Sequence, residues 1–91
     1  MDNDKSYYYC RVCGLFQDED LPPWGLDGRS PSFNICACCG VEFGYQDCFP
    51  EDVKLFREKW IKKGSPWRFP EEKPTKWSLE EQLKNIPQEF K

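Results

Sequence analysis

The pattern of apolar and polar residues divides the chain into a strand-like N-terminal half and a helical C-terminal half. In the first half, the apolar and aromatic runs at 7–9 and 32–35 each lead into a pair of cysteines. The short runs at 15–16 and 41–45 follow those pairs. Aromatic and β-branched runs of this length favour β-strands. The pattern therefore predicts two hairpins, each a strand, a cysteine turn and a strand.

The second half begins with the clearest helical signal in the chain. Val53, Phe56 and Trp60 recur at helical spacing and form one apolar stripe. A proline and two acidic residues open this segment, lysines close it, and Gly64 supplies a stop. We predict a helix over 50–64 that packs its apolar stripe on the hairpins.

Residues 65–77 contain prolines that a helix cannot accommodate, so this segment is predicted to run extended. Its aromatic residues Trp67, Phe69 and Trp77 form either part of the core or a partner surface, and the pattern favours the core. A second helix is predicted over 78–86, capped by a serine at its start and ended by a proline.

The cysteine pairs carry the candidate chemistry. Each has the form Cys-x-x-Cys-Gly, in which glycine allows the positive φ that closes a tight turn around two sulfurs. Two such turns, usually called knuckles, bring four thiolates to one ion, and the segment between them is slightly longer than in the usual zinc template. The sequence therefore predicts one Zn²⁺ per chain, with iron as the alternative metal, held by Cys10, Cys13, Cys36 and Cys39.

Two cysteines remain outside this set. Cys38 lacks the spacing that Cys36 and Cys39 share with the first pair, so it is predicted to be a free or half-buried thiol. Cys48 is predicted to be a small core residue. Disulfides are the competing interpretation, but the chain begins with polar residues and shows no signal peptide, which favours metal binding in a reducing cytoplasm.

Composition limits the remaining functions. A chain of 91 residues makes one domain, 1–91, whose core is small enough to gain from a structural metal. The net charge of −3 disfavours nucleic acid and anionic membranes as partners, and the basic residues between 54 and 63 are interpreted as a solvated helix face. The absence of histidine and of a glycine-rich phosphate loop argues against an enzyme.

Two resemblances add to these predictions. Residues 9–14 and 33–40, with their paired Cys-x-x-Cys-Gly turns, resemble the knuckles of rubredoxin-like zinc ribbons. The element Cys36-Ala37-Cys38-Cys39-Gly40, with the residues 43–45 that follow it, is similar to small cysteine-rich bacterial proteins of the CPCC type. The tail from Phe56 to Leu83 resembles that of uncharacterised bacterial proteins of about this length, which carry no known activity. The resemblance implies an α+β fold: a zinc ribbon over 7–45 with C-terminal helices beside it.

These observations together predict a small bacterial, cytoplasmic protein in which zinc has a structural role. The expected partner is another protein, so the chain is interpreted as a protein-interaction module that is not an enzyme. The alternatives are an iron electron carrier of the rubredoxin type, a nucleic-acid-binding ribbon and an immunity or antitoxin-type partner. The sequence leaves the oligomeric state open.

Overall fold

The described part of the chain contains helices and tight turns. The computed structural model describes residues 6–18 and 20–91. Residues 1–5, on which the expectation of no signal peptide rests, lie outside the described residues. Helix α1 spans Pro50–Lys62 and helix α2 spans Leu79–Leu83. Single 3-10 turns occur at Ser6–Tyr8, Pro70–Glu72 and Gln88–Phe90.

The predicted α+β zinc ribbon is wrong, because the described residues form no β-strand and no sheet. Where hairpins were expected, each cysteine turn is flanked by one isolated antiparallel bridge. Tyr9 pairs with Phe16 at the first turn, and Ile35 pairs with Glu42 at the second. The rubredoxin-like hairpins over 7–45 are therefore reduced to two knuckles, each closed by one bridging residue pair.

Local backbone conformation explains why the strands do not extend. Before the first bridge, Ser6–Tyr8 already turns as a 3-10 helix. Before the second bridge, Phe33 has a φ of 64°, in the left-handed region that no strand contains. After the second bridge the chain turns at once through Gly44, whose φ is 94°. Strand propensity in the aromatic runs is thus overridden by the turns that surround them.

The two knuckles nevertheless repeat one another in their backbone hydrogen bonds. The amide of Cys10 donates to the carbonyl of Leu15 at 2.9 Å, and that of Cys36 donates to Val41 at 2.9 Å. The amides of the two closing glycines each donate back to the first cysteine of their turn at 3.0 Å. The sequence correctly indicated a duplicated cysteine turn, although it assigned strands to its flanks.

Helix α1 begins and ends where the sequence signals lie. Pro50 occupies its first turn together with Glu51 and Asp52. At its other end, the amide of Gly64 donates to the carbonyl of Ile61, and the amide of Ser65 donates to that of Trp60. This pair of hydrogen bonds is the Schellman arrangement, which ends a helix through a left-handed glycine.

The C-terminal segments wrap the knuckles. The segment predicted as extended, 65–77, includes a single 3-10 turn, and α2 is shorter than the helix predicted over 78–86. Trp67 is buried and packs edge-to-face on Trp77, with ring centroids 5.6 Å apart. These rings therefore belong to the core. No helix in the described part of the chain combines the length and apolarity needed to cross a membrane.

The core is built around the knuckles. Four of its members are the cysteines of the two pairs, and Cys38 joins them. The remaining buried side chains come from the knuckles, from α1 and from the C-terminal segments: Val12, Val41, Phe43, Val53, Trp60, Trp67, Ile86 and Phe90. Aliphatic side chains are few, and cysteines and aromatic residues make up most of the core.

A comparison of the two knuckle glycines tests the docking of α2. Gly14 and Gly40 have the same φ, 82° and 83°, but a Cβ at Gly14 would overlap the carbonyl oxygen of Gln82. A Cβ at Gly40 would meet only the side chain of Arg68, at 3.6 Å. We expect Gly40→Ala to cost about 1 kcal/mol of unfolding free energy and Gly14→Ala about 3 kcal/mol, because α2 must shift. Urea denaturation with zinc present measures both; equal losses would refute the close approach.

Candidate metal centre

The two knuckles bring four thiols to one point. The Sγ atoms of Cys10 and Cys39 are 3.7 Å apart, and those of Cys13 and Cys36 are 3.6 Å apart. All four Sγ atoms lie within 4.8 Å of one another. Each close pair joins one cysteine of the first knuckle to one of the second, so the cluster ties together two segments that are distant in the sequence.

These separations fit a tetrahedral metal ion. An ion with sulfur ligands at about 2.3 Å places each pair of sulfurs about 3.8 Å apart. A disulfide would require an S–S distance of about 2.05 Å, and all six cysteines are free thiols. The four clustered cysteines, Cys10, Cys13, Cys36 and Cys39, can therefore hold one metal ion, and they are the residues that the spacing predicted as ligands.

The cluster is closed to solvent and receives polar contacts from nearby groups. Three of its cysteines are fully buried, and Cys39 is 8% exposed. The amide of Val12 donates to Cys10 Sγ at 3.4 Å, and the side-chain amide of Gln17 donates to Cys36 Sγ at 3.6 Å. Such donors stabilise thiolate sulfur. The arrangement can bind a metal and leaves no open position for a water ligand.

Burial and mutual contact separate the acidities of the four thiols. Burial raises the pKa of Cys10, and it raises the pKa of Cys13 and Cys39 well above the ordinary value for a thiol. Hydrogen bonds from the neighbouring thiols lower the pKa of Cys36 well below that value. Burial and mutual contact thus disfavour ionisation at three thiols of the cluster and favour it at the fourth.

Arg57 of α1 supports the first knuckle. Its Nε donates to the carbonyl of Val12 at 2.6 Å, and one of its terminal nitrogens donates to the carbonyls of Arg11, at 3.0 Å, and Phe90. Burial lowers the pKa of Arg57, and the nearby thiols oppose that shift. The interpretation of this residue as part of a solvated face was wrong. Position 57 lies one helical turn after Val53, which would have placed it on the buried face.

Gln82 of α2 provides a second support. Its side-chain amide donates to the carbonyl of Cys13 at 3.1 Å and to Cys38 Sγ at 3.3 Å, while its Oε1 accepts from the indole of Trp77 at 2.7 Å. Sequence reasoning missed this residue as well. It lies about one helical turn after Leu79, so helical periodicity again carried the signal.

In the second knuckle, the carbonyls accept hydrogen bonds from backbone amides instead of side chains. The amides of Phe69 and Arg68 donate to the carbonyls of Ala37 and Cys38 at 2.9 and 3.0 Å. These carbonyls occupy the same positions in the second knuckle as those that Arg57 binds in the first. The two equivalent turns therefore satisfy the same backbone groups through different segments.

The two remaining cysteines lie outside the cluster. Cys38 is a free thiol, as predicted, but it is fully buried, and it accepts the hydrogen bond from Gln82. Cys48 was predicted to be a small core residue, but it is half-buried and lies outside the core, and its thiol donates to the carbonyl of Gly44 at 3.4 Å. Neither takes the place of a cluster cysteine.

Comparisons with known proteins identify two relatives. The uncharacterized protein YoaQ of Bacillus subtilis (strain 168) is 31% identical over 97 residues, an alignment that covers 86% of this chain and 72% of YoaQ. The uncharacterized protein YozI of the same strain is 29% identical over 85 residues, covering 74% of this chain and 67% of YozI. No protein-family model matches the chain. No solved structure matches it either. The expected resemblance to uncharacterised bacterial proteins is confirmed, whereas no family match supports a zinc ribbon.

The thiol acidities predict strongly pH-dependent metal binding. Because the pKa values of Cys10, Cys13 and Cys39 are raised, binding of one metal ion by four thiolates releases at least three protons near pH 7. Protons compete with the metal, so the apparent affinity falls as pH falls, by about a thousandfold per pH unit. Calorimetric titration with Zn²⁺ in buffers of different ionisation enthalpy counts the protons. Release of one proton or none would contradict the assignment.

Proposed function

The chain belongs to the same family as YoaQ of Bacillus subtilis, and we propose that its four clustered cysteines bind one structural Zn²⁺ ion. The observation that carries this proposal is the set of four buried thiols at separations that match the edges of a sulfur tetrahedron. A four-sulfur shell leaves no site for substrate or water, so the ion would stabilise the fold and the protein would not be an enzyme. The reducing cytoplasm, where such thiols stay available, is its proposed location.

We propose zinc over iron because the role that we propose for the metal is structural: it would stabilise a small core. Thiolate sites accept both metals, and recombinant protein takes up whichever is abundant. Protein purified from its native host is therefore the informative sample. One iron per chain, with thiolate charge-transfer absorption, would support electron transfer instead.

Removal of one ligand tests the structural role. We expect Cys39→Ser to lose stoichiometric zinc and the near-UV circular dichroism of the packed aromatic residues. A structural zinc site contributes on the order of 10 kcal/mol to folding, which is comparable to the whole stability of a small domain. Cys48→Ser is the matched control, because Cys48 lies outside the cluster, and it should retain both properties. A Cys39→Ser protein with an unchanged near-UV spectrum would refute the proposal.

We further propose that the protein contacts another protein through a surface hollow around Phe33. Phe33 lines this hollow with Ile35 and Phe69. Phe33 is 62% exposed and Ile35 is 43% exposed. An aromatic residue at a φ of 64° is strained. Because its ring is exposed, packing of the side chain offsets little of this strain. Strained residues of this kind mark functional sites. A partner that covers the ring would supply the missing burial.

The strain at Phe33 makes this contact testable. We expect Phe33→Asn to raise the free energy of unfolding by about 1 kcal/mol, because asparagine tolerates the left-handed region, and to abolish partner capture from a native-host lysate. Tyr45→Asn is the control, since Tyr45 is 73% exposed but does not line the hollow. Capture of the same proteins by wild type and Phe33→Asn would show that the contact lies elsewhere.

A further inference from the structure

A pocket of about 350 Å³ opens beside the C-terminal end of α1. Its apolar walls are Phe56, Trp60, Pro66 and Trp67. Two of these, Trp60 and Trp67, are 4% and 8% exposed, so the inner surface is made of fixed aromatic rings. The volume lies in the range of small-molecule sites, which are mostly apolar with a few polar groups that orient the ligand.

The charged groups of this pocket are all cationic. Lys59, Lys63 and Arg68 line it, and no carboxylate does. All three side chains are exposed, and within the described residues none forms an ion pair. The chain as a whole has a net charge of −3, but this pocket is locally positive. Cations that have no carboxylate partners favour an anionic ligand.

One of the aromatic walls carries a buried hydrogen-bond donor that lacks a partner. The indole Nε1 of Trp67 is buried and has no hydrogen-bond partner. The neighbouring indole of Trp60, by contrast, donates to the carbonyl of Pro66 at 2.8 Å. Native proteins pair nearly all such buried groups, and an unpaired one calls for an explanation. Because this nitrogen is closed to water-sized molecules, a ligand in the pocket does not supply its partner, and the case for a ligand rests on the aromatic walls and the cations.

The arrangement fixes how a ligand would lie. Cys39, whose thiol belongs to the four-cysteine cluster, is one of the inner walls. A negative group beside thiolates is unfavourable, so the ligand's charge belongs at the exposed cationic mouth. Its apolar part belongs against the aromatic rings. The pocket therefore matches a flat apolar molecule that carries one terminal anionic group.

We propose that this pocket binds a small aromatic carboxylate, with its ring against Trp60 and Trp67 and its carboxylate among the three cations. The site shares no lining residue with the hollow around Phe33. This proposal therefore does not depend on the proposed protein contact.

The test uses zinc-loaded, full-length protein and 2-naphthoate as the probe, with 2-naphthalenemethanol as its uncharged counterpart. We expect naphthoate to bind with a dissociation constant of about 0.1–1 mM and the alcohol to bind at least about fivefold more weakly. In ¹H–¹⁵N spectra, the indole resonance of Trp67 should shift, while that of Trp24, which donates to Asp47 at 2.9 Å, should not.

Two neighbouring lysines of α1 provide a matched pair of variants. Lys59→Gln and Lys62→Gln remove the same charge from the same helical turn, but only Lys59 lines the pocket. We expect Lys59→Gln to weaken naphthoate binding about three- to fivefold, and Lys62→Gln to leave it unchanged within error. Equal binding of acid and alcohol, equal effects of the two variants, or no shift of the Trp67 indole would each overturn the proposal.

Discussion

The convergence of four sulfur atoms is the constraint on which the rest of this structure depends. Cys10 and Cys39 approach to 3.7 Å, and Cys13 and Cys36 to 3.6 Å, so each knuckle is fixed to the other at two points. Four thiols this close are unfavourable partners for one another when ionised. A divalent ion at their centre reverses that repulsion. The geometry of the core thus offers a site for one metal ion.

The two knuckles also impose a need for hydrogen bonds that the C-terminal half meets. Each turn contains backbone carbonyls that accept hydrogen bonds from outside the turn, and buried carbonyls need such donors. At the first knuckle the guanidinium of Arg57 and the amide of Gln82 supply them. At the second, the backbone amides of Arg68 and Phe69 do so. The helices are therefore docked by polar groups with fixed targets as well as by apolar packing.

With the C-terminal half docked in this way, residues of the 65–69 segment line two different surface sites. Trp67 is taken into the core and forms a wall of the pocket with cationic edges. Phe69 instead joins the hollow that contains the strained Phe33. Nearby positions of one short segment thus line two distinct surfaces, and the two proposed sites share no lining residue.

The sequence alone determined the cysteine turns, because a Cys-x-x-Cys-Gly unit encodes its own geometry within a single turn. It also determined the limits of α1, where proline, acidic residues and a terminal glycine act locally. Tertiary structure decided everything that depended on what each segment meets. The aromatic runs before the knuckles have strand propensity, yet a single bridge forms at each because Phe33 and the turn at Ser6–Tyr8 leave no extended backbone to pair. Tertiary structure likewise decided the roles of Arg57 and Gln82. Each donates to backbone carbonyls that are distant in the sequence and come close only once the chain has folded.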